Sequence, residues 1–288
     1  LVFNVGYQYP VHICAELGIN HQGDIDTVLR LIDAAKEAGC DSVKMQKRAP
    51  HISVPPWMMN TRKATPWGDM RYIEYRERME FSLSEYGIID AYCASIDMPW
   101  FASVWDAPSL VFIKENFEPP AYKVPSAMLT NTELLQALKR RTVPIILSTG
   151  MSTMEEIRTA VTLLEAQGNS IILCHCNSTY PCPPEELNLQ VITAFMNEWP
   201  HLRIGYSGHE VGLAPTTATV ALGACYIERH LTLDRTLWGS DQATSVEPPG
   251  FKRLVKDIRL VERALGDGEK RITEGEMEAL QRLRGSHA

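Results

Sequence analysis

No stretch of the 288-residue chain comes near the roughly 18 consecutive apolar residues that a membrane-spanning helix needs. The opening LVFNVGYQYP lacks the basic segment followed by an apolar core that marks a secretory leader. These absences set the expectation of a cytoplasmic protein with no membrane partner. Positive charge is not in excess either: 28 Lys and Arg stand against 35 Asp and Glu, a formal net charge of −7, which argues against nucleic acid as a partner. A chain that is 45% hydrophobic and 22% charged is ordinary for a globular protein and unlike a disordered one. Also missing is a Gly-rich phosphate turn: the first strand-like run leads into Glu16-Leu17-Gly18-Ile19-Asn20-His21, which is no GxGxxG. Cysteine is present, but its seven copies are odd in number and several sit inside apolar runs, as reduced buried thiols do.

What is present is alternation. Short, largely apolar runs at Val11 to Ala15, Ser42 to Gln46, Trp100 to Ser103, Ala121 to Val124, Pro144 to Ser148, Ile171 to His175, Arg203 to Ser207 and Tyr226 to His230 read as strands covered on both faces. Amphipathic stretches separate them. In Asp24 to Ala38, Val28, Leu29, Ile32 and Ala35 recur at helical spacing, and Gly39 follows as a stop. Similar patterns fill Ser84 to Ser95, Ala107 to Asn116, Asn131 to Lys139, Thr153 to Ala166, Leu189 to Trp199, Leu213 to Leu222 and Pro249 to Ala264. Ser152 or Thr153 ahead of Glu155 and Glu156 supplies an N-cap and an acidic first turn. Eight unbroken βα units fit an α/β fold of the closed (β/α)8 TIM barrel type, which takes about 250 residues as one unit, so a single domain over residues 1–288 is expected. The one long irregular insert, Lys47 to Gly68, is either an active-site lid or a packing loop.

A barrel carries its chemistry at the carboxyl ends of its strands. Polar groups stand there on every run except the third: Glu16; Lys44 and Gln46; Lys123 and Ser126; Ser148 and Thr149; His175 and Asn177; Ser207 and His209; Glu228 and His230. Buried charge of this density needs compensation, so stability alone does not explain it. Lys44 and Lys123 with Ser126, Ser148, Asn177 and Ser207 can surround a small anion bearing phosphate and carboxylate. His209 and His230, on adjacent strands, can share a divalent metal with positions left for water and substrate. Glu16 can move a proton or hold a hydroxyl. Cys174-His175-Cys176 is not a three-ligand site, because alternate side chains of a strand face opposite ways.

At these residues the sequence resembles the sialic acid synthase family, which condenses phosphoenolpyruvate with an aldose to make nonulosonic acids. The likeness runs from about residue 11 to 266 through Ala15 to His21, Val43 to Gln46, Ala121 to Ser126, Ile145 to Met151, Cys174 to Pro181, Gly205 to His209, Ile227 to His230 and Ser240-Asp241. The resemblance implies that His209 and His230 hold manganese, with Mg2+ or Co2+ as alternatives. It implies a phosphoenolpyruvate site of Lys44, Lys123, Ser126, Ser148, Asn177 and Ser207, an aldose site of Gln46, Tyr180 and Asp241, and Glu16 and Asp241 as catalytic groups. His175 becomes site wall, and a homodimer or larger homo-oligomer is the family expectation.

Two departures bear on the aldose. Sialic acid members have Gly-Glu after the serine of the fourth strand, where Ala127-Met128 follows Ser126 here. They also continue into an antifreeze-like domain that reaches the acyl group, and the short stretch after about 266 sets the expectation of a barrel without it. Mannose, an acylated hexosamine, or a 6-phosphate of either is the expected partner. His21, Lys47, Arg48, Arg62 and Lys63 on the rim serve either such a phosphate or only solvent. The competing classes are an aldolase or lyase forming a Schiff base on Lys44 or Lys123, and a non-catalytic sugar-binding barrel.

Overall fold

A computed structural model of the chain describes residues 3, 5–139 and 142–285. In chain order its strands are β1 (His12–Gly18), β2 (Ser42–Lys47), β3 (Arg62–Thr65), β4 (Gly68–Arg71), β5 (Trp100–Val104), β6 (Tyr122–Val124), β7 (Ile145–Ser148), β8 (Ile171–Cys176), β9 (Arg203–Gly208) and β10 (Tyr226–His230). Eight of them close into a parallel barrel in the order β1-β10-β9-β8-β7-β6-β5-β2, while β3 and β4 form a separate two-stranded sheet. The expected TIM barrel is therefore the observed fold.

Pairing register sorts the strand residues into layers. Ile13, Ala15, Val43, Met45, Leu147, Leu173 and Ile227 face the surrounding helices and join the main core. Cys14, Phe101, Ala121, Ile146, Ile172, Cys174 and Tyr226 form a second apolar cluster. Alternation in a strand places the next inward residue two positions on. Cys14 is thus followed by Glu16, Phe101 by Ser103, Ala121 by Lys123, Ile146 by Ser148, Cys174 by Cys176 and Tyr226 by Glu228. An apolar floor with a polar layer above it follows from period two alone.

The elements differ from expectation where local pattern is weakest. β1 continues past Ala15 to Gly18, with an irregularity in its pairing with β2 between Glu16 and Gly18. The fourth helix shortens to Thr132–Ala137 and is preceded by a 3-10 turn, Ser126–Met128. The insert is not irregular: it holds short helices Pro50–Ser53 and Pro56–Met59, the β3–β4 hairpin, and helix Tyr72–Arg78. The hairpin turns through Pro66 and Trp67, with Thr65 paired to Gly68. Its four-residue strands are too short and too polar to declare themselves by alternation. A further helix, Glu274–Arg284, lies beyond the barrel and buries none of its residues.

Helix Met154–Ala166 starts on a reciprocal cap: the Glu156 amide donates to Thr153 Oγ1 at 3.3 Å and the Thr153 amide to Glu156 Oε2 at 2.7 Å. Thr153→Ala should lower stability by about 1 kcal/mol in urea unfolding, whereas Ser152→Ala, which loses only a hydroxyl bond to the Gly150 carbonyl and no cap, should move the midpoint less.

Candidate active site

The polar layer opens into a cavity of about 210 Å³ lined by Glu16, Lys44, Gln46, Ser103, Lys123, Ser126, Ser148, Cys176, Tyr180, Ser207, His209, Glu228 and His230, among others. At its base Glu228 is held from four sides. Lys123 Nζ lies 3.1 Å from Oε2 and Lys44 Nζ 3.5 Å from Oε1. Tyr226 donates its hydroxyl to Oε2 at 2.9 Å and Ser207 to Oε1 at 3.1 Å. Lys44 also meets Glu16 Oε2 at 2.6 Å and donates to Ser103 Oγ at 2.6 Å. Gln46 gives Nε2 to Glu16 Oε1 at 2.9 Å.

Electrostatics separates the two carboxylates. Burial pushes Glu16 up to about 7; the Lys44 ammonium opposes this and the Glu228 anion adds to it. Burial would also raise Glu228, but Lys123 and then Lys44 outweigh it and hold this carboxyl well below the usual range. Lys123, which burial alone would lower, is raised by Glu228 and stays an ammonium. Near neutral pH the site therefore contains one fixed anion, a carboxyl poised to gain or lose a proton, and ammonium charge facing the cavity.

Beside this cluster stand the two histidines, ring centroids 5.4 Å apart, with Tyr180 4.0 Å from the His209 ring. His209 Nδ1 meets the Asn177 carbonyl at 2.7 Å, which makes Nδ1 the protonated nitrogen and leaves Nε2 with its lone pair. Burial pushes His230 down to about 4, against the pull of the Asp241 carboxylate 3.7 Å from Nδ1. Gly18 permits this closeness: with φ at +55°, a Cβ there would stand 3.0 Å from Asp241 Oδ2 and 3.2 Å from the His230 ring. Gly150 makes a second tight approach. Its amide donates to Ser126 Oγ at 3.0 Å, and a Cβ there would collide with Ser178 Oγ. The neighbouring cavity residue Met151 takes φ 60°, an uncommon conformation for a side-chain-bearing residue. Ser148 Oγ is buried with no hydrogen-bond partner and faces the same cavity.

Most residues picked from the sequence meet here, with exceptions. The Asn177 side chain does not line the cavity: it donates to the Glu186 carbonyl and accepts from the Thr179 amide, and the residue reaches the site through its carbonyl on His209. Asp241 lies behind His230 and accepts from Ser240. Ala127 lines the cavity, whereas Met128 packs at the edge of the main core, so its thioether does not stand in the site. His175 faces outward and meets the Leu187 carbonyl at 2.7 Å. Cys174 and Cys176 share a face as expected, yet only Cys174 is floor packing; Cys176 lines the cavity, its sulfur 3.8 Å from His209 Nδ1. Sequence reasoning passed over Ser103 and left Glu228 as a bare strand end, although the inward register from Phe101 and Tyr226 points to both.

The rim cations divide. Lys47 pairs with Glu80 at 3.0 Å, and Arg62 with Asp69 at 2.8 Å. His21 is buried against Phe81 and pushed down to about 4, chiefly by burial. Arg48 and Lys63 pair with no carboxylate among the described residues; Arg48 lies over Trp105, and Lys63 among the Tyr72, Tyr75 and Trp238 rings.

A carboxyl raised from 4.5 to about 7 favours the folded state most when protonated, so its contribution is complete below pH 4.5 and fades as pH rises through about 7. In urea unfolding, Glu16→Gln should therefore gain on the wild type between pH 4.5 and 8, by on the order of 2 kcal/mol. A constant difference across that window would contradict the raised carboxyl.

Residues 31–270 match the NeuB family. N-acetylneuraminate-9-phosphate synthase of Homo sapiens is 37% identical over 97% of this chain and 78% of its own length. N,N'-diacetyllegionaminic acid synthase of Legionella pneumophila is 33% identical over 94% of this chain and 78% of its own. Among solved structures, the N-acetylneuraminic acid (sialic acid) synthetase of Leptospira borgpetersenii superposes with a TM-score of 0.85 at 30% identity, covering 99% of this chain and 95% of that one. With the family matched across most of the barrel and its strand-end groups gathered in one cavity, the chain belongs to the NeuB family.

Proposed function

We propose that this chain condenses phosphoenolpyruvate with an open-chain aldose to give a 2-keto-3-deoxy sugar acid of the nonulosonic type, releasing phosphate. The observation that carries the reading is the pair of buried ammoniums, Lys44 and Lys123, held on the shared Glu228 at the floor of a cavity whose wall is His209 and His230. A phosphate- and carboxylate-bearing substrate is matched by these two cations and by the hydroxyls of Ser126, Ser148 and Ser207, of which Ser148 has no protein partner.

The residues present fit a divalent ion. Centroids 5.4 Å apart let two imidazole nitrogens reach one ion at about 2.1 Å, and burial keeps His230 neutral, as a ligand must be. Among the described residues no group of three or more His, Cys, Asp or Glu side chains is arranged around an ion, so oxygens of substrate and water would complete the shell of Mn2+, Mg2+ or Co2+. Such an ion would supply Lewis acidity at the aldehyde oxygen.

The protein's own groups do the rest. Lys44 and Lys123 fix the enol phosphate so that C3 faces the aldehyde carbon, and holding both reactants in place supplies much of the acceleration. The new C3–C bond forms, water adds at C2, and the C2–O bond to phosphate breaks, leaving the 2-keto group. Glu16, poised near neutrality, hands a proton to the aldehyde oxygen or takes one from the attacking water. Gln46 and Tyr180 line the aldose side, and Asp241 steadies His230. Lys123, held as an ammonium on Glu228, is a poor Schiff-base nucleophile, which disfavours an aldolase working through that lysine. A cytoplasmic setting and a homo-oligomeric assembly belong to the same reading, and no described helix is long and apolar enough to cross a membrane.

Phosphate release from phosphoenolpyruvate should require an aldose, fall at least about 10²-fold in kcat/KM in Lys123→Met, and vanish with EDTA until Mn2+ is restored. Phosphoenolpyruvate labelled with ¹⁸O in the bridging position should deliver the label to phosphate. Label retained in the sugar acid, or a pyruvate adduct trapped by borohydride, would refute the reading.

A further inference from the structure

Two guanidiniums near the cavity, that of the half-buried Arg48 and that of the buried Arg76, form no ion pair among the described residues. Arg48 lies with its guanidinium carbon 3.2 Å over the Trp105 ring and donates Nη2 to Gln46 Oε1 at 2.8 Å, while its Nε is buried and unpartnered. Arg76, on the insert helix Tyr72–Arg78, is 4% exposed, and its Nε and Nη2 have no hydrogen-bond partner. Lys63 of β3 stands with Nζ 5.2 Å from the centroid of Tyr75, the same ring that Arg76 approaches at 5.7 Å.

The acids of this region are engaged elsewhere. Glu80 holds Lys47, Asp69 holds Arg62, Glu77 meets His51, Glu74 meets Arg71, and Asp241 faces His230. Arg48 and Arg76 also sit in each other's field: after burial, the Arg76 charge is the largest influence pulling Arg48 down, to about 9. An unpaired buried cation is expensive to maintain, and two that repel are more so. Such a pair is explained when a ligand brings the missing anion. The cluster adjoins the cavity through a chain of hydrogen bonds, Arg48 to Gln46 and Gln46 to Glu16. Lys44 and Lys123 belong to the floor beyond it.

We infer that Arg48 and Arg76, with Lys63 behind them, bind the phosphate of a phosphorylated aldose, so that a phosphate ester at the far end of the sugar is a requirement of the substrate. This deepens the reaction reading above and rests on it. The chemistry favours phosphate over an acyl group: guanidinium forks meet phosphate oxygens in bidentate fashion, and a dianion balances two such charges, whereas an amide needs neither. The Arg48–Gln46 bond passes the position of the phosphate on to the group that holds Glu16.

The test compares matched sugars, mannose with mannose 6-phosphate and N-acetylmannosamine with its 6-phosphate, on the full chain. In the wild type, kcat/KM for phosphate release should be at least about 10²-fold higher with the 6-phosphate of the productive pair. Arg76→Gln should remove most of that preference through KM, with the unphosphorylated sugar changed less than about threefold, and Arg76→Lys should restore part of it. Ligand-free Arg76→Gln should melt at or above the wild-type temperature, because it discards an unpaired buried charge, and 6-phosphates should raise the melting temperature of the wild type but not of the variant. If Arg76→Gln fails to fold, Arg48→Gln provides the melting comparison and the 6-phosphate preference, with turnover of both sugars lowered together because Arg48 holds Gln46. Equal use and equal thermal stabilisation by a sugar and its phosphate, or an undiminished preference in both variants, would overturn the inference and leave the condensation reading intact. If no sugar releases phosphate, the condensation reading fails, and the melting comparison, which needs no turnover, still decides whether these arginines hold a sugar phosphate.

Discussion

A carboxylate shared by two ammoniums at the centre of a closed barrel is the interaction on which the rest of this site depends. Glu228 is fixed by Lys123, Lys44, Tyr226 and Ser207, which come from β6, β2, β10 and β9 and so from most of the circumference. Lys123 stays charged at that depth because Glu228 outweighs burial, which alone pulls an ammonium towards its neutral form. One anion between two cations leaves charge over, and that remainder is what makes the cavity attractive to an anionic substrate. Glu16, on the far side of Lys44, is pushed up to about 7 chiefly by its burial, which the nearby Lys44 ammonium only partly offsets.

The same strand ends carry a second buried pair facing the other way. Arg229, between the inward Glu228 and His230, points outward and donates to Glu210 Oε1 at 3.0 Å and to the Glu210 carbonyl at 2.6 Å. Tyr206 donates to the other oxygen of Glu210 at 2.9 Å. Glu210 follows His209, so one ion pair, 1% and 0% exposed at its two side chains, ties together the segments that present both histidines. The separation of the imidazoles is thus set by groups that never touch the cavity, as supporting interactions around metal ligands commonly are.

Charge in the insert follows the opposite logic. Lys47, Arg62, Arg71 and His51 each find a carboxylate, while Arg48 lies over Trp105 and bonds Gln46, and Arg76 lies near the Tyr75 ring. A region so rich in paired ions that still leaves two guanidiniums unmatched has its polarity arranged around something other than its own stability. The hairpin and its apolar cluster of Tyr75, Met79, Trp67 and Trp238 place these cations next to the loop after β10, which carries Asp241.

Alternation of apolar runs and amphipathic helices is local, with periods of two and 3.6 residues, and it was enough to establish the barrel and most of its strand-end groups. Glu16, Lys44, Lys123, Ser148, Ser207, His209 and His230 were legible because a barrel sends its strand ends to one place. Glu228 and Ser103 were harder, because their importance depends on what stands across the barrel from them. The side chains of Asn177 and Met128 turn away from the cavity, which strand spacing does not show, because a loop can turn a side chain away while its backbone keeps position. The β3–β4 hairpin and Arg76 left no readable trace: four polar residues carry no period, and an arginine in a short helix looks solvated until its neighbours are known. By itself the sequence determined the order of elements, the closed sheet and which residue types would converge, since each follows from local periodicity and strand direction. Only the tertiary structure decided which charges are paired and which are left bare, because that depends on distances between segments far apart in the chain.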